Sequence, residues 1–385
     1  VLDFLLINDL LDDGEKQIQK MARDFVNSKV LKHVGQWWED GIVPSDLIEE
    51  FGRLGFFGAN LQSDYGTAGI SNVAYGLMMY ELERADSGLR SLASVQGSLV
   101  MYPILTYGSL EQQRKYLGPM ASGEVIGCFG LTEHEGGSDP GGMKTTARRD
   151  GDFYVLNGTK MWISNGSIAQ IAIIWAKDQD GTIRGFLVPT DTIGFSTRAI
   201  KHKMSLRLSV TSELIMDDVK VHASQMLPNA IGLRAPLSCL NQARYGICWG
   251  ALGALELVYE EALNFAQNRV TFGNPISARQ LVQSKLTDML SDHSKGLLIA
   301  WRLGNLKDAG YLNHVQVSMA KRDNVRAALK GARNAREILG ASGITLDNHS
   351  IRHMLNLETV DTYEGTYDIH TLVVGKYITG KNAFS

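Results

Sequence analysis

The sequence predicts an α+β multidomain chain. It has an N-terminal helical domain over residues 1–122, a central antiparallel β-barrel or sandwich over 123–228, and a C-terminal helical bundle over 229–385. Three observations lead there. Apolar residues recur at helical spacing up to about Gly123 and again from about Leu237. Between those regions, short β-patterned runs follow one another with Gly and Asp at the breaks. No Gly-x-Gly-x-x-Gly, no P-loop and no Gly-x-Ser-x-Gly elbow is present, so a doubly wound nucleotide fold has no support.

The elements follow in order. Ile18, Met21, Ala22, Phe25 and Val26 share one helical face, and Asp12 or Asp13 suits its N-cap. Residues 46–54 and 72–84 repeat the amphipathic pattern, with Gly55 and Ser87-Gly88 as stops. A further run ends near Tyr107-Gly108, and 110–120 forms a short helix. In the β region, 153–156 and 159–163 flank Asn157-Gly158, the dipeptide of a tight hairpin turn. Residues 171–176, 185–188 and 213–216 read as further strands. Val282, Leu286, Met289, Leu290, His293, Leu297 and Trp301 trace a long helix after the turn Phe272-Gly273-Asn274-Pro275, and 316–339 forms another, stopped by Gly340.

Composition narrows the function. A net charge of −3 argues against nucleic acid or an anionic membrane as partner, and no segment reaches the ~20 apolar residues of a membrane span. The cysteines, Cys128, Cys239 and Cys248, follow no zinc spacing and read as a reducing compartment. That is the cytoplasm of a bacterium or archaeon, or the mitochondrial matrix if a transit peptide was removed. His349 and His353 stand four apart, yet Arg352 between them disfavours a cation, so no metal is expected.

Three stretches carry chemistry. The Gly-rich run 128–140 can offer backbone N–H groups to a phosphate, or serve as a plain interdomain loop. Trp162-Ile163-Ser164-Asn165-Gly166 suits a flat heteroaromatic, or buries its indole in the core. Thr362-Tyr363-Glu364-Gly365-Thr366 places a carboxylate between Tyr and Gly, where desolvation raises its pKa as a general base requires; the same Glu could equally cap a helix.

These stretches, in this order, resemble the acyl-CoA dehydrogenase family of FAD flavoproteins over nearly the whole chain. The runs Tyr80-Glu81-Leu82-Glu83-Arg84, Cys239-Leu240-Asn241-Gln242-Ala243-Arg244 and Thr362-Tyr363-Glu364-Gly365-Thr366 carry the likeness, which is strongest to members that oxidise glutaryl-CoA. The resemblance implies that FAD lies against Trp162, Ile163 and Ser164, with Phe129, Leu131 and Thr132 as further contacts. Gly137 and Ser138 would line the phosphate and pantetheine path. Arg269, Phe272, Gln280 and Leu281 would reach a neighbouring subunit's FAD, with 337–341 (Glu337, Gly340, Ala341) as a second contact and Thr366 and Asp368 as a third. Phe384 would touch the cofactor from the C-terminal tail, and the family is commonly a homotetramer. Leu240, Asn241 and Arg244 belong to the strip that holds the acyl-CoA, beside Gly365.

By the same resemblance Glu364 is the catalytic base that takes the α-proton while hydride leaves Cβ, and its backbone N–H meets the carbonyl charge. Arg90 and Ser91 follow the Ser87-Gly88 break. An alkyl tail would not tolerate a buried guanidinium, so Arg90 fits a dicarboxylic acyl group, and a surface Arg is the alternative. Glu83 and Tyr363 match decarboxylating members, which gives oxidative decarboxylation of glutaryl-CoA to crotonyl-CoA and CO2, as in amino-acid degradation, with an electron-transferring flavoprotein as acceptor. Other acyl specificity, a non-decarboxylating reaction, an oxidase, and a binding protein without turnover are the competing expectations. The chain departs from the family pattern at Thr67, His134, Ala341-Ser342 and Tyr367.

Overall fold

Asp12 opens the first helix with a reciprocal cap: its carboxylate accepts from Glu15 N (2.8 Å), and Glu15 accepts from Asp12 N (3.0 Å). The structure, a computed structural model, describes residues 3–384. Its N-terminal part holds α1 (Asp13–Phe25), α2 (Val34–Asp40), α3 (Ser45–Arg53), α4 (Asn72–Ala85), α5 (Ser87–Ser94), α6 (Tyr102–Tyr107) and α7 (Leu110–Ser122). The sequence predicts an amphipathic α4, yet this helix is buried almost all round, because α1 covers one side and the C-terminal helices cover the other. Asp86, not Ser87-Gly88, makes the break after α4. Its backbone is extended, and its carboxylate caps α5 through Gly88 N at 2.7 Å.

The central part is a seven-stranded sheet of β1 (Gly127–Gly130), β2 (Thr146–Asp150), β3 (Phe153–Ser164), β4 (Ile171–Lys177), β5 (Ile183–Pro189), β6 (Phe195–Ala199) and β7 (Thr211–His222). The order is β1-β4-β2-β3-β7-β6, with β5 on β4. Most pairs are antiparallel, as predicted, but β4 runs parallel to β1 and, at Thr146 and Lys177, to β2. The Asn157-Gly158 hairpin is absent. Residues 153–164 form one continuous strand, and the chain reverses earlier, at Gly151 (φ 60°). Asn157 is instead tied across to Asp218 on β7, donating from Nδ2 (2.9 Å) and accepting from Asp218 N (2.8 Å). Gly158, at φ 144°, sits in a bulge where a Cβ would lie 2.5 Å from Thr145 Oγ1.

Helix returns with α8 (Arg234–Asn268), α9 (Gln280–Asp308), α10 (His314–Leu339), α11 (Ser350–Thr362) and α12 (Tyr367–Thr379), with a two-stranded hairpin, β8 (Val270–Thr271) and β9 (Asn274–Pro275), between α8 and α9. No described helix is long and apolar enough to cross a membrane. One core cluster runs from the N-terminal helices into the sheet and α8, and a second lies among α8, α9, α10 and α11.

Candidate active site

The turn 363–366 between α11 and α12 is held from two helices. Lys321 on α10 donates from Nζ to the carbonyls of Tyr363 (2.5 Å) and Gly365 (2.6 Å). Arg244 on α8 donates from Nε to the carbonyl of the residue between them, Glu364, at 2.6 Å. Glu364 itself has φ 51°, a left-handed backbone that a long side chain seldom adopts. Its Oε2 is enclosed and has no hydrogen-bond partner among the described residues. Helix α12 is capped by Thr366, whose Oγ accepts from Ile369 N at 3.1 Å, so Glu364 is not the cap the sequence left open. Burial raises the Glu364 carboxyl above its ordinary 4.5, against the opposing pull of Arg90, Lys321 and Arg244.

Arg90 is fully buried on α5. Its Nε donates to Glu83 Oε2 (2.7 Å), its Nη2 meets the Tyr363 hydroxyl, and its Nη1 has no partner among the described residues. The other Glu83 oxygen accepts from Ser87 Oγ at 2.8 Å. Burial alone would lower the guanidinium pKa, but Tyr363, Glu83 and Glu364 outweigh it and keep the group charged. The surface reading of Arg90 is therefore overturned: a buried cation with one unspent donor stands beside the residue that precedes Glu364. Gly250 on α8 makes room for this pair, since a Cβ there would lie 2.1 Å from Glu83 Oε2. Ser91 is buried on α5 but bonds to none of these groups.

Strand β3 ends at a second feature. Trp162 has φ 63° and is 58% exposed, so the core reading of this residue is also overturned. Phe129, Leu131 and Ile163 turn their side chains into the core, which leaves their backbone as the surface they can offer. Ser164 Oγ accepts from Ser209 Oγ at 3.3 Å, and Thr132 O accepts from Met161 N at 2.8 Å. Glu133 pins the adjoining loop by accepting from Lys160 Nζ (2.8 Å) and from Lys144 N (2.6 Å), with Gly137 and Ser138 exposed beyond it. Leu240 and Asn241 lie half-buried on α8, where Asn241 Oδ1 accepts from Arg244 Nη1 at 3.3 Å.

The remaining predicted residues lie on open surface. Arg269 and Gln280 are exposed, Phe272 on the β8–β9 hairpin is 95% exposed, and Leu281 at the start of α9 is 79% exposed. Glu337 pairs with Lys285 (2.6 Å), Gly340 and Ala341 follow α10, Asp368 faces solvent in the first turn of α12, and Phe384 is half-exposed. His349 and His353 flank Arg352, which donates to His349 Nδ1 at 3.1 Å.

Three family models match in sequence: the acyl-CoA dehydrogenase N-terminal domain over residues 12–124, the middle domain over 128–219 and the C-terminal domain over 231–379. The chain belongs to the acyl-CoA dehydrogenase family. A glutaryl-CoA dehydrogenase from Mycobacterium smegmatis, solved in complex with FADH2, is 52% identical with a TM-score of 0.97, over 98% of this chain and 97% of that one. A glutaryl-CoA dehydrogenase solved with glutaryl-CoA is 30% identical at TM-score 0.92, over 96% of both chains. The human mitochondrial short-chain specific acyl-CoA dehydrogenase is 33% identical over 373 residues, 96% of this chain and 90% of its own.

Lys321, Gly250 and the pair Asp86–Arg352 are parts of the site that the motifs in the sequence did not point to. Lys321 carried a usable signal. It falls on the stripe Val317, Ala320, Asn324, Val325 and Ala328, which is otherwise without charge and faces the core, and a buried cation there requires acceptors. Gly250 had no local signal, because the atom it makes room for is 167 positions away in sequence.

Proposed function

We propose that this member of the acyl-CoA dehydrogenase family is an FAD enzyme that oxidises glutaryl-CoA and decarboxylates the product to crotonyl-CoA. The observation that carries the reading is the buried Arg90, already held by Glu83 and Tyr363, with Nη1 left over for a second carboxylate. A guanidinium at the end of an acyl pocket discriminates for a dicarboxylic chain, because an alkyl end would leave that donor unsatisfied.

The residues present fit a flavin: the uncovered Trp162 offers a flat apolar surface, with the Ser164 hydroxyl and the Thr132 backbone beside it. Bound flavin supplies the acceptor for the hydride equivalent that leaves Cβ. Glu364 removes the α-proton. Its carboxyl is desolvated enough to be a stronger base than an exposed one, and its backbone N–H, free of any backbone acceptor, is available to the thioester oxygen. In the second half the conjugated thioester takes up the electrons of the Cγ–carboxylate bond, CO2 leaves, and Glu364 returns the proton. Arg90 holds the distal carboxylate until that bond breaks.

An electron-transferring flavoprotein is the proposed acceptor and a homotetramer the proposed assembly. The exposed Phe272 on the β8–β9 hairpin, Leu281 on α9 and Tyr377 and Ile378 on α12 support an apolar interface in the C-terminal part. The likeness to a short-chain enzyme favours a second reading, oxidation of an unsubstituted short acyl chain. Anaerobic titration of the purified protein with glutaryl-CoA, measuring flavin bleaching, CO2 and acyl-CoA product together, separates them. Equal amounts of CO2 and crotonyl-CoA per flavin reduced are expected. Bleaching without CO2 overturns decarboxylation, and bleaching by butyryl-CoA alone overturns the substrate.

A further inference from the structure

The turn that carries Glu364 has a second cation whose role the acyl pocket does not account for. Lys321 is 1% exposed, sits on α10 rather than on the turn's own elements, and spends its two close contacts on the carbonyls that flank the base, Tyr363 O and Gly365 O. With Arg244 on the carbonyl between, three consecutive peptide oxygens are bound to side chains of two different helices. A left-handed residue in a short turn does not hold its place by propensity, so these contacts are what over-determine it. We propose that Lys321 is the positioning residue for the base: by gripping both peptides around Glu364 it fixes where the carboxylate points. The proposal rests on the reading of Glu364 as the base.

The groups facing this pair come from every packed element. Glu83 and Tyr75 lie on α4, Arg90 on α5, Arg244 and Cys248 on α8, Asp361 and Tyr363 at the end of α11, and His370 on α12. Burial pushes the Cys248 thiol up to about 12 and the His370 imidazole down to about 2, so both stay neutral through an ordinary assay range. Asp361 is engaged by Arg326 at 2.9 Å. Burial brings the Lys321 ammonium down to about 7, so on the acid side of that value Lys321 joins Arg244 and Arg90 in opposing the burial-driven rise of the Glu364 carboxyl, and Lys321 is the one among them that neither faces the acyl end nor bonds to Glu364's own carbonyl.

The test uses the flavin-loaded enzyme and 3-thiaglutaryl-CoA, whose sulfur at the β position blocks oxidation. In D2O the Cα–H bond breaks, the proton passes to Glu364, the carboxyl exchanges with solvent, and a deuteron returns to Cα. Mass spectrometry follows that exchange against pH, and calorimetry gives the Kd of the same compound. Lys321→Met is expected to slow exchange about 100-fold, leave Kd within about threefold, and move the acid limb up by about one pH unit. Lys321→Arg, which keeps the charge, is expected to leave the limb in place and recover part of the rate. Glu364→Gln is the reference. If it abolishes exchange while Lys321→Met leaves rate and limb unchanged, the positioning role is overturned and the base stands. If Glu364→Gln exchanges at the native rate, the base reading falls and the proposal with it. A lower melting temperature in Lys321→Met with an unmoved limb also overturns the role. Should that variant not fold, Lys321→Gln is measured the same way, with the same two outcomes.

Discussion

Arg90 has no access to water, so removing it exposes what it was holding. Arg90→Met is expected to lower kcat/KM for glutaryl-CoA at least about 30-fold, the scale of ~2 kcal/mol for losing one partner of a buried charge pair. The double variant Arg90→Met with Glu83→Gln, which leaves neither partner of the pair charged and unpaired, should change butyryl-CoA turnover less than about threefold. Steady-state kinetics on both substrates check this, and equal losses count against the carboxylate role. The pH profile belongs to Glu364. Burial raises its pKa, and a base works only when ionised, so kcat/KM for glutaryl-CoA is expected to fall as pH drops through a value above 4.5. An acid limb at or below 4.5 would show an ordinary, solvated carboxylate.

Helix α8 works as a template because of what it lacks. At Gly250 the absent Cβ is the volume that Glu83 occupies, so Gly250→Ala should push Glu83 off Arg90. A destabilisation of ~1–3 kcal/mol is expected from overpacking, with the glutaryl-to-butyryl preference falling at least about tenfold. Urea unfolding and the two kcat/KM values report these separately. At this scale the sequence was legible wherever one face meets water. Helix α1 shows its cap and its apolar stripe openly, since the stripe and the polar face contrast. Helix α4 hides its packing, because both sides are covered and no contrast remains. Strand β3 misleads for another reason: Asn157-Gly158 has the chemistry of a turn, but the cross-strand partner Asp218 and the crowding by Thr145 spend it on a bulge.

Across the whole molecule, the ion pair of Asp86 and Arg352 joins the two halves of the proposed acyl pocket. Arg352 on α11 donates from Nη1 to Asp86 Oδ2 (2.6 Å) and to Ala85 O (2.6 Å), and Asn356 donates to the same carboxylate at 2.8 Å. This staples the α4–α5 corner, which carries Glu83 and Arg90, to the helix that runs into Tyr363 and Glu364. Arg352→Met leaves Asp86 buried with less compensation, and ~3–5 kcal/mol of stability should be lost. The urea midpoint checks this, and a change under ~1 kcal/mol would show that the staple does not hold the corner. The chemistry-bearing motifs were readable in the sequence because each is a short run of unusual residues. The ties between them were not, since Asp86 and Arg352 lie 266 positions apart and nothing local marks either as a partner.

The resident carboxylate of Glu83 has a consequence for the end of the proposed reaction. When the guest's distal acid departs as a neutral gas, a lone buried guanidinium would be stranded, at a cost of several kcal/mol. Arg90 keeps its first companion, so the host remains electrically balanced while its cargo turns from a singly charged tail end into a plain hydrocarbon, and the pocket has no reason to recapture what it has released.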